Sequence, residues 1–262
     1  MNKFKYLIYD IETVTDKTLL NRVLYPNEGL SDEEAYQRHL TELSEIDRTF
    51  VNPSFHKPVS LAAIAVAENL EITKIGLLGG EKRTSSAIVK NFWDTYREKK
   101  PILVDFNGKG FDLRLMELWA FRCGITLPRE HFSKFGIRHR FSDEKHLDLH
   151  ELLTNYGAIR YAGGLNLFSK ILGKPGKTST KGEMVQEIYD AGNIFRIDDY
   201  CLSDAMDTYF VFLRIQVLME QLTLSREREL VDAAKTKIQE QSAKEGFFKD
   251  YLAAFGYWAP PE

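Results

Sequence analysis

Two acidic residues, Asp10 and Glu12, interrupt an otherwise apolar stretch near the N-terminus, "KYLIYDIETVTD". Side chains alternate between the two faces of a β-strand, so these two carboxylates project from the same face. Neighbouring carboxylates repel each other, and a buried acid is costly unless something pairs with it. A divalent cation such as Mg²⁺ or Mn²⁺ removes both penalties, because these ions prefer carboxylate oxygens. The stretch therefore indicates one part of a metal site on a buried strand.

Two later segments carry further acids that could complete such a site. In "FNGKGFD" (106–112) a glycine-containing turn follows an apolar strand, and Asp112 falls in the first turn of a helix, where negative charge is favourable. In "DYCLSDAMDTY" (199–209), Tyr200 and Asp204 are four residues apart and share one helical face. Each segment alone has an ordinary structural explanation, as a solvated strand edge, a capped turn or a helix face. Their joint occurrence in this order points to one shared site.

The rest of the pattern predicts the elements that position these residues. Residues 4–11 are the first predicted strand, and the polar segment 16–55 contains an acidic helix with a Ser31 cap. Helices between the later strands favour an α/β fold with a mixed sheet. The other predicted elements are strands at 59–67 and 71–79, a helix at 84–99, a strand, turn and helix over 101–124, a short strand and helix over 145–157, a short helix closed by Gly173, and helices from near Asp198 to about Phe255.

Composition limits the classes of protein to consider. The 262 residues are 44% hydrophobic and 28% charged, which fits one large globular domain. We expect no membrane span and no export signal, and the two cysteines, Cys123 and Cys201, suit a reducing, cytoplasmic location. A net charge of −3 disfavours a tight non-specific nucleic-acid binder but allows an enzyme with a local basic surface. The six histidines do not have the spacing of a zinc site. The sequence also has no glycine-rich loop of the kind that binds the phosphates of a nucleotide cofactor.

The three acidic segments together resemble the motifs of the DEDD superfamily of 3′–5′ exonucleases, which have a ribonuclease H-like fold. "YDIET", "FNGKGFD" and "YCLSD", the last in its Tyr-x-x-x-Asp form, are typical of the DEDDy branch. They are similar to the proofreading domains of family-B DNA polymerases and, more narrowly, to stand-alone predicted exonucleases related to that domain. The resemblance covers roughly residues 4–220. It implies an α/β, ribonuclease H-like mixed β-sheet flanked by helices in an exonuclease domain at 1–220, with 16–55 as a polar helical insertion and 221–262 as a C-terminal helical extension and tail.

The resemblance also implies roles for individual residues. The acids that match its metal ligands, for two Mg²⁺ or Mn²⁺ ions, are Asp10, Glu12, Asp112 and Asp204, and Tyr200 matches the residue that orients the attacking water. Asn107 and Phe111 match positions beside the terminal nucleotide, and Thr13 is a further expected substrate contact. Arg114 departs from the family pattern and is expected to add a cation near the site. Asp207 is not one of the family's acids, so its expected role is structural or secondary.

Two segments are candidates for holding the rest of the substrate. "PREHFSKFGIRHRF" (128–141) interleaves cations with phenylalanines, a combination that suits a single strand, and it contributes the expected contacts Arg138 and Arg140. The lysine-containing segment 169–182 is either a phosphate contact or a solvated loop. The acidic stretch 28–46 is not expected to touch phosphate.

The expected function is removal of nucleoside monophosphates from the 3′ end of single-stranded nucleic acid, with DNA preferred, by a two-metal-ion mechanism. An exoribonuclease acting on RNA 3′ ends is an alternative, because discrimination depends on contacts to the 2′ position of the sugar. A non-catalytic nucleic-acid-binding module on the same fold is the other alternative. It is disfavoured because all four acids and the tyrosine are present.

Overall fold

A five-stranded mixed sheet forms the centre of the computed structural model, which describes residues 4–80, 83–177 and 182–261. The strands are β1 (Tyr6–Thr15), β2 (His56–Val66), β3 (Ile72–Leu77), β4 (Ile102–Asp105) and β5 (His146–Asp148), in the order β3-β2-β1-β4-β5. Pairing is antiparallel between β1 and β2 and between β2 and β3, and parallel between β1 and β4 and between β4 and β5. The predicted ribonuclease H-like α/β architecture with a mixed sheet is confirmed.

Ten α-helices of the described residues surround this sheet. They are α1 (Lys17–Leu24), α2 (Asp32–Ser44), α3 (Ser85–Lys99), α4 (Asp112–Cys123), α5 (Leu149–Leu153), α6 (Gly164–Ile171), α7 (Val185–Asp190), α8 (Ile194–Leu218), α9 (Leu224–Glu245) and α10 (Lys249–Ala253). Local signals set several of their ends. Helix α2 begins with the predicted capping box of Ser31 and Glu34, and α4 ends at Gly124, whose φ of +66° favours glycine. None of these helices is both long and apolar enough to cross a membrane.

Each face of the sheet buries its own apolar core. Residues of β1 alternate between the cores: Ile8 packs with α8, and Tyr9 packs with Phe92 of α3 and Met116 of α4. Helix α8 therefore lies across one face of β1, the face from which Asp10 and Glu12 also project. The core on that face also contains residues of α9 and α10, including Tyr251, so the C-terminal helices pack with the rest of the chain.

Some predicted boundaries differ from the observed ones. Strand β1 continues to Thr15 instead of ending near residue 11, because its pairing with β2 passes through a β-bulge after Glu12. Helix α8 begins at Ile194, before Asp198, because the side chain of Asn193 caps it by accepting the Arg196 N–H. The short helices α1 and α7 were not predicted separately, since eight and six residues give little periodicity.

The 16–55 segment folds as a small helical layer beside the sheet. Helices α1 and α2 pack on each other around a separate apolar cluster that includes Leu20, Tyr36 and Val51. This agrees with a polar helical segment that buries its own apolar residues. Its status as an insertion, and the domain limits at 1–220 and 221–262, stay predictions.

Candidate active site

Three acids from two distant parts of the chain converge where α8 crosses the central strand of the sheet. Asp10 and Glu12 of β1 and Asp204 of α8 each offer a carboxylate oxygen, and these atoms lie within 4.8 Å of one another. Cys201 connects the same two elements one turn earlier in α8, since its Sγ lies 3.3 Å from the carbonyl oxygen of Asp10 and 3.3 Å from the amide nitrogen of Ala62. The packing of α8 across β1 and β2 therefore brings the acids together.

The protonation behaviour of the cluster reflects repulsion between crowded acids. Burial raises the pKa of Asp10 and of Glu12 well above the ordinary values, and the neighbouring carboxylates raise both further. For Asp204, burial and then the charge of Asp207 raise the pKa to about 7. Unless a cation is bound among them, these carboxylates become protonated at a higher pH than they would in water.

A divalent cation fits this arrangement. The Oδ2 atom of Asp10 is buried and makes no hydrogen bond with any residue that the structure describes. Buried polar atoms in proteins nearly always have a partner, so an unpaired oxygen within a carboxylate cluster is where a hard cation would sit. The oxygen-only donor set suits Mg²⁺ or Mn²⁺. This group of close ligand atoms, found among the described residues, contains no histidine.

The fourth predicted acid, Asp112, is close enough to Asp10 and Glu12 to interact with them electrostatically. It begins α4, is 7% exposed and lies outside the group of three, but its charge raises the pKa of both Asp10 and Glu12. Burial and then the charges of Asp105 and Asp148 raise its own pKa, while a hydrogen bond with the backbone of Ile11 lowers it. The structure therefore places Asp112 against the segment of β1 that carries the other acids.

Tyr200 lies one helical turn before Asp204 and is buried against the site. Burial, followed by the charges of Asp204 and Glu12, raises the pKa of Tyr200, so its hydroxyl keeps its proton at neutral pH. Its hydrogen bond to Asp204 lowers the pKa of that acid. Tyr200 is therefore placed to donate a hydrogen bond to Asp204.

Two aspartates that sequence reasoning did not single out hold the loop in front of Asp112. Asp148 accepts the N–H groups of Asn107 and Lys109 at 2.8 and 3.0 Å, and Asp105 accepts the Gly108 N–H at 3.0 Å. Asn107 has a φ of +72°. We call Asp105 and Asp148, which end β4 and β5, the loop framework. Their position at the ends of two apolar runs is the signal that could have indicated this role.

Gly108 is required by this framework for steric reasons. A Cβ atom at residue 108 would lie 1.9 Å from a carboxylate oxygen of Asp105. We expect Gly108→Ala to lower the free energy of unfolding by about 2–3 kcal/mol, in the range of an overpacked buried site. Thermal unfolding measures this, with Gly182→Ala as the control, because an added Cβ at residue 182 meets no atom of the described residues within 4 Å. Equal unfolding temperatures for the two variants would contradict the assignment.

The predicted substrate contacts Thr13, Asn107 and Phe111 occupy different environments. The Oγ1 of Thr13 lies 2.8 Å from Nδ1 of His56, and the ring of Phe111 lies 6.2 Å from the His56 ring. Phe50, which was not predicted, is 59% exposed and packs on both rings, at 5.0 Å from His56 and 6.2 Å from Phe111. Asn107 is the loop residue with the left-handed backbone conformation. The rings of Phe50, His56 and Phe111 thus form an aromatic wall, with Thr13 against His56. Thr13 directly follows Glu12 in the chain, and Phe111 directly precedes Asp112.

The predicted arginines already have partners within the protein. Arg138 is paired with Glu117 at 3.3 Å, and Arg140 is paired with Glu151 at 3.3 Å. Arg114 was expected to add a cation near the site, and this stays a prediction. Its guanidinium group donates to Glu117 and to the carbonyl oxygens of Lys109 and Arg138, so it serves as a structural link.

The lysine-containing segment 169–182 divides into residues with different surroundings. Lys174 is buried, and its Nζ donates to the carbonyl oxygen of Gly256 at 2.7 Å and lies 4.2 Å from the centre of the Phe255 ring. Burial lowers the pKa of Lys174 to about 8, and a buried lysine cannot reach phosphate. Lys177 is exposed, and its charge lowers the pKa of both Glu12 and Asp204. Lys181 lies outside the described residues.

Asp207 lies one turn beyond Asp204 on α8 and is buried. It accepts a hydrogen bond from the Tyr251 hydroxyl at 2.6 Å, and burial raises its pKa to about 6. These contacts join α8 to α10. They agree with the expectation of a structural or secondary role.

Comparison with known protein families gives one match that covers most of the chain. The family model described as "predicted 3'-5' exonuclease related to the exonuclease domain of PolB" matches residues 48–255. The matched region contains Asp112, Tyr200 and Asp204 and begins after the strand that carries Asp10 and Glu12. It continues past residue 220 through α9 and α10.

Proposed function

Because the chain belongs to the family of predicted 3′–5′ exonucleases related to the exonuclease domain of PolB, we propose that it hydrolyses the last phosphodiester at the 3′ end of single-stranded nucleic acid, with DNA as the preferred substrate. The products are nucleoside monophosphates. The convergence of Asp10, Glu12 and Asp204, with an unpaired buried oxygen on Asp10, is the observation that supports this proposal. Such a cluster is costly for the fold and becomes favourable when it holds cations.

The proposed site uses two divalent ions, Mg²⁺ or Mn²⁺. The carboxylates that would hold them are Asp10, Glu12, Asp112 and Asp204. When bound, the ions supply positive charge at the scissile phosphate and lower the pKa of a water molecule. The Tyr200 hydroxyl keeps its proton and lies beside Asp204. There it would orient the attacking water by a hydrogen bond.

The proposed binding of the substrate begins at the aromatic wall. An unpaired terminal base would stack on the ring of Phe111, with Thr13 and Asn107 beside its sugar and phosphate. Arg138 and Arg140 would contact phosphates farther from the end. Their present ion pairs with Glu117 and Glu151 do not prevent this, because each guanidinium side chain is about half exposed and exposed ion pairs contribute only about 0–1 kcal/mol.

The direct test is digestion of matched single-stranded DNA and RNA labelled at either end. With Mg²⁺ or Mn²⁺ we expect a 3′ label to be released at once as a mononucleotide and a 5′ label to give a ladder that shortens one nucleotide at a time. A chelator should stop both reactions, because without the metal ions no positive charge stabilises the scissile phosphate or activates the water. Faster digestion of RNA would indicate the exoribonuclease alternative. A protein that binds strands without cutting them would contradict the proposal and favour the non-catalytic module.

A further inference from the structure

Lys109, inside the "FNGKGFD" segment, connects two parts of the molecule. Its ammonium group is buried and donates to the carbonyl oxygens of Arg140 and Ser142 at 3.0 and 3.2 Å and to Asp143 at 3.2 Å. Three acceptors satisfy all three of its N–H donors. The backbone N–H of Lys109 donates to Asp148 of the loop framework. The same residue therefore holds the loop before Asp112 and the end of a segment, 128–143, that consists of the cation- and phenylalanine-containing stretch 128–141 and the two residues after it.

Two more cationic side chains hold the same segment through its backbone. His146 contacts the Ile137 carbonyl oxygen at 3.1 Å through Nδ1 and Asp105 of the loop framework at 2.6 Å through Nε2. A carbonyl and a carboxylate oxygen are both acceptors, so this geometry suits an imidazolium that donates from both nitrogens. Arg114 donates to the carbonyl oxygen of Arg138 at 3.2 Å. The segment is thus hydrogen-bonded to β5 and to α4, the helix that begins with Asp112.

The outer side of this segment exposes three aromatic rings. Phe132, Phe135 and Phe141 are 58%, 64% and 63% exposed. Each has a cation over its ring, and the pairs are Arg138 over Phe132 at 5.2 Å, Lys134 over Phe135 at 5.7 Å and Arg140 over Phe141 at 5.6 Å. We call these six residues the phenylalanine–cation surface. Clustered exposed rings usually mark a binding surface, and rings beside cations suit unpaired nucleotides, whose bases stack while the phosphates meet the charges.

We propose that Lys109 is a positioning residue that couples the phenylalanine–cation surface to the acid cluster. Unpaired nucleotides upstream of the 3′ end bind the surface, and the attachment through Lys109 fixes their distance from Asp112. The strand is thereby held with its terminal phosphate at the acids. This proposal rests on the proposed exonuclease function and adds to it a preference for substrates long enough to reach the surface.

The test compares a long and a minimal substrate in Lys109→Met, which keeps the side-chain stem and removes the ammonium group. The long substrate is a single strand of about twenty nucleotides. The minimal one is the p-nitrophenyl ester of thymidine 5′-monophosphate, which has no upstream nucleotide; water attacks its phosphorus and nitrophenolate leaves. We expect kcat/KM for the strand to fall about tenfold, mainly through KM, with about twofold or less change for the ester.

Lys174→Met is the matched control. Lys174 and Lys109 are 4% and 5% exposed, so both variants lose a buried ammonium group, but the contacts of Lys174 are with Gly256 and the aromatic rings near it. We expect its ratio of strand to ester activity to equal that of the parent. Phe135→Ala combined with Phe141→Ala alters only exposed rings and should lower the same ratio without a burden on folding.

A binding measurement separates this proposal from the exonuclease assignment. In the Asp10→Asn background, which should not cut, adding Lys109→Met should weaken binding of the twenty-nucleotide strand about tenfold. A parent that hydrolyses neither substrate contradicts the exonuclease function, and the binding comparison then decides alone. The coupling is wrong if strand binding is unchanged in Lys109→Met, or if its ratio of strand to ester activity stays at the parent value.

Discussion

Asp10→Asn should lower mononucleotide release at least about a thousandfold while leaving the fold intact. Asp10 contributes a carboxylate oxygen to the cluster with Glu12 and Asp204 and has the unpaired buried Oδ2 atom. An asparagine has the same shape but no negative charge, so it holds cations poorly. Loss of the charge stabilisation that a pair of metal ions provides, several kcal/mol, corresponds to rate losses of this size.

The measurement is single-turnover digestion of a 5′-labelled strand at saturating Mg²⁺, with circular dichroism to show that the variant is folded. Asp94→Asn is the control, because Asp94 is an acid on the surface of α3 that pairs with Lys90 and Arg97. It should digest the strand at the parent rate. If Asp10→Asn cut the strand as fast as the parent does, the acid cluster would not be the catalytic site.

Without divalent ions, the same cluster should make the protein less stable as the pH rises. The pKa of Asp204 is raised from 3.8 to about 7 by burial and by Asp207. A carboxyl whose folded pKa lies above its unfolded value favours the folded state at low pH, and this stability is lost as the pH rises from about 4 through about 7. Burial and mutual repulsion raise the pKa of Asp10 and Glu12 in the same direction.

Asp204→Asn should therefore be more stable than the parent at pH 8 in the presence of a chelator. A pKa raised from 3.8 to about 7 corresponds to about 4 kcal/mol at most, or a melting temperature higher by on the order of 10 °C. At pH 4 the two proteins should melt together, because both side chains are then neutral. Saturating Mg²⁺ should raise the melting temperature of the parent more than that of the variant.

Thermal unfolding from pH 4 to 8, in chelator and in Mg²⁺, measures these effects. Asp94→Asn again serves as the control, since its exposed carboxylate should show neither the gain at pH 8 nor a reduced response to Mg²⁺. Equal Mg²⁺-dependent shifts for the parent and Asp204→Asn would mean that this carboxylate does not hold the ion.

The two predictions describe one physical conflict. Acids that must hold cations for chemistry are crowded at the junction of β1 and α8, where they oppose folding when the cations are absent. The fold compensates with apolar cores on both faces of the sheet. Removing one acid should therefore abolish activity and stabilise the metal-free protein at the same time, which simple damage to the fold would not do.

Local sequence patterns predict the parts of this arrangement that lie within single elements. The alternation of β1 placed Asp10 and Glu12 on one face, and the four-residue spacing placed Tyr200 and Asp204 on one face of a helix. The capping box of Ser31 marked a helix start in the same way. These features could be predicted because backbone geometry fixes them within a few residues, whatever the rest of the chain does.

Tertiary structure alone decided which side chains meet across the fold. Two lysines three residues apart have opposite surroundings, since Lys174 is buried among aromatic rings and Lys177 faces the acids. Arg114 serves as a link between backbone carbonyls, and Lys109 joins two segments separated by about thirty residues. A side chain's partners depend on long-range packing and on which buried donors and acceptors still need one, and no local spacing records that.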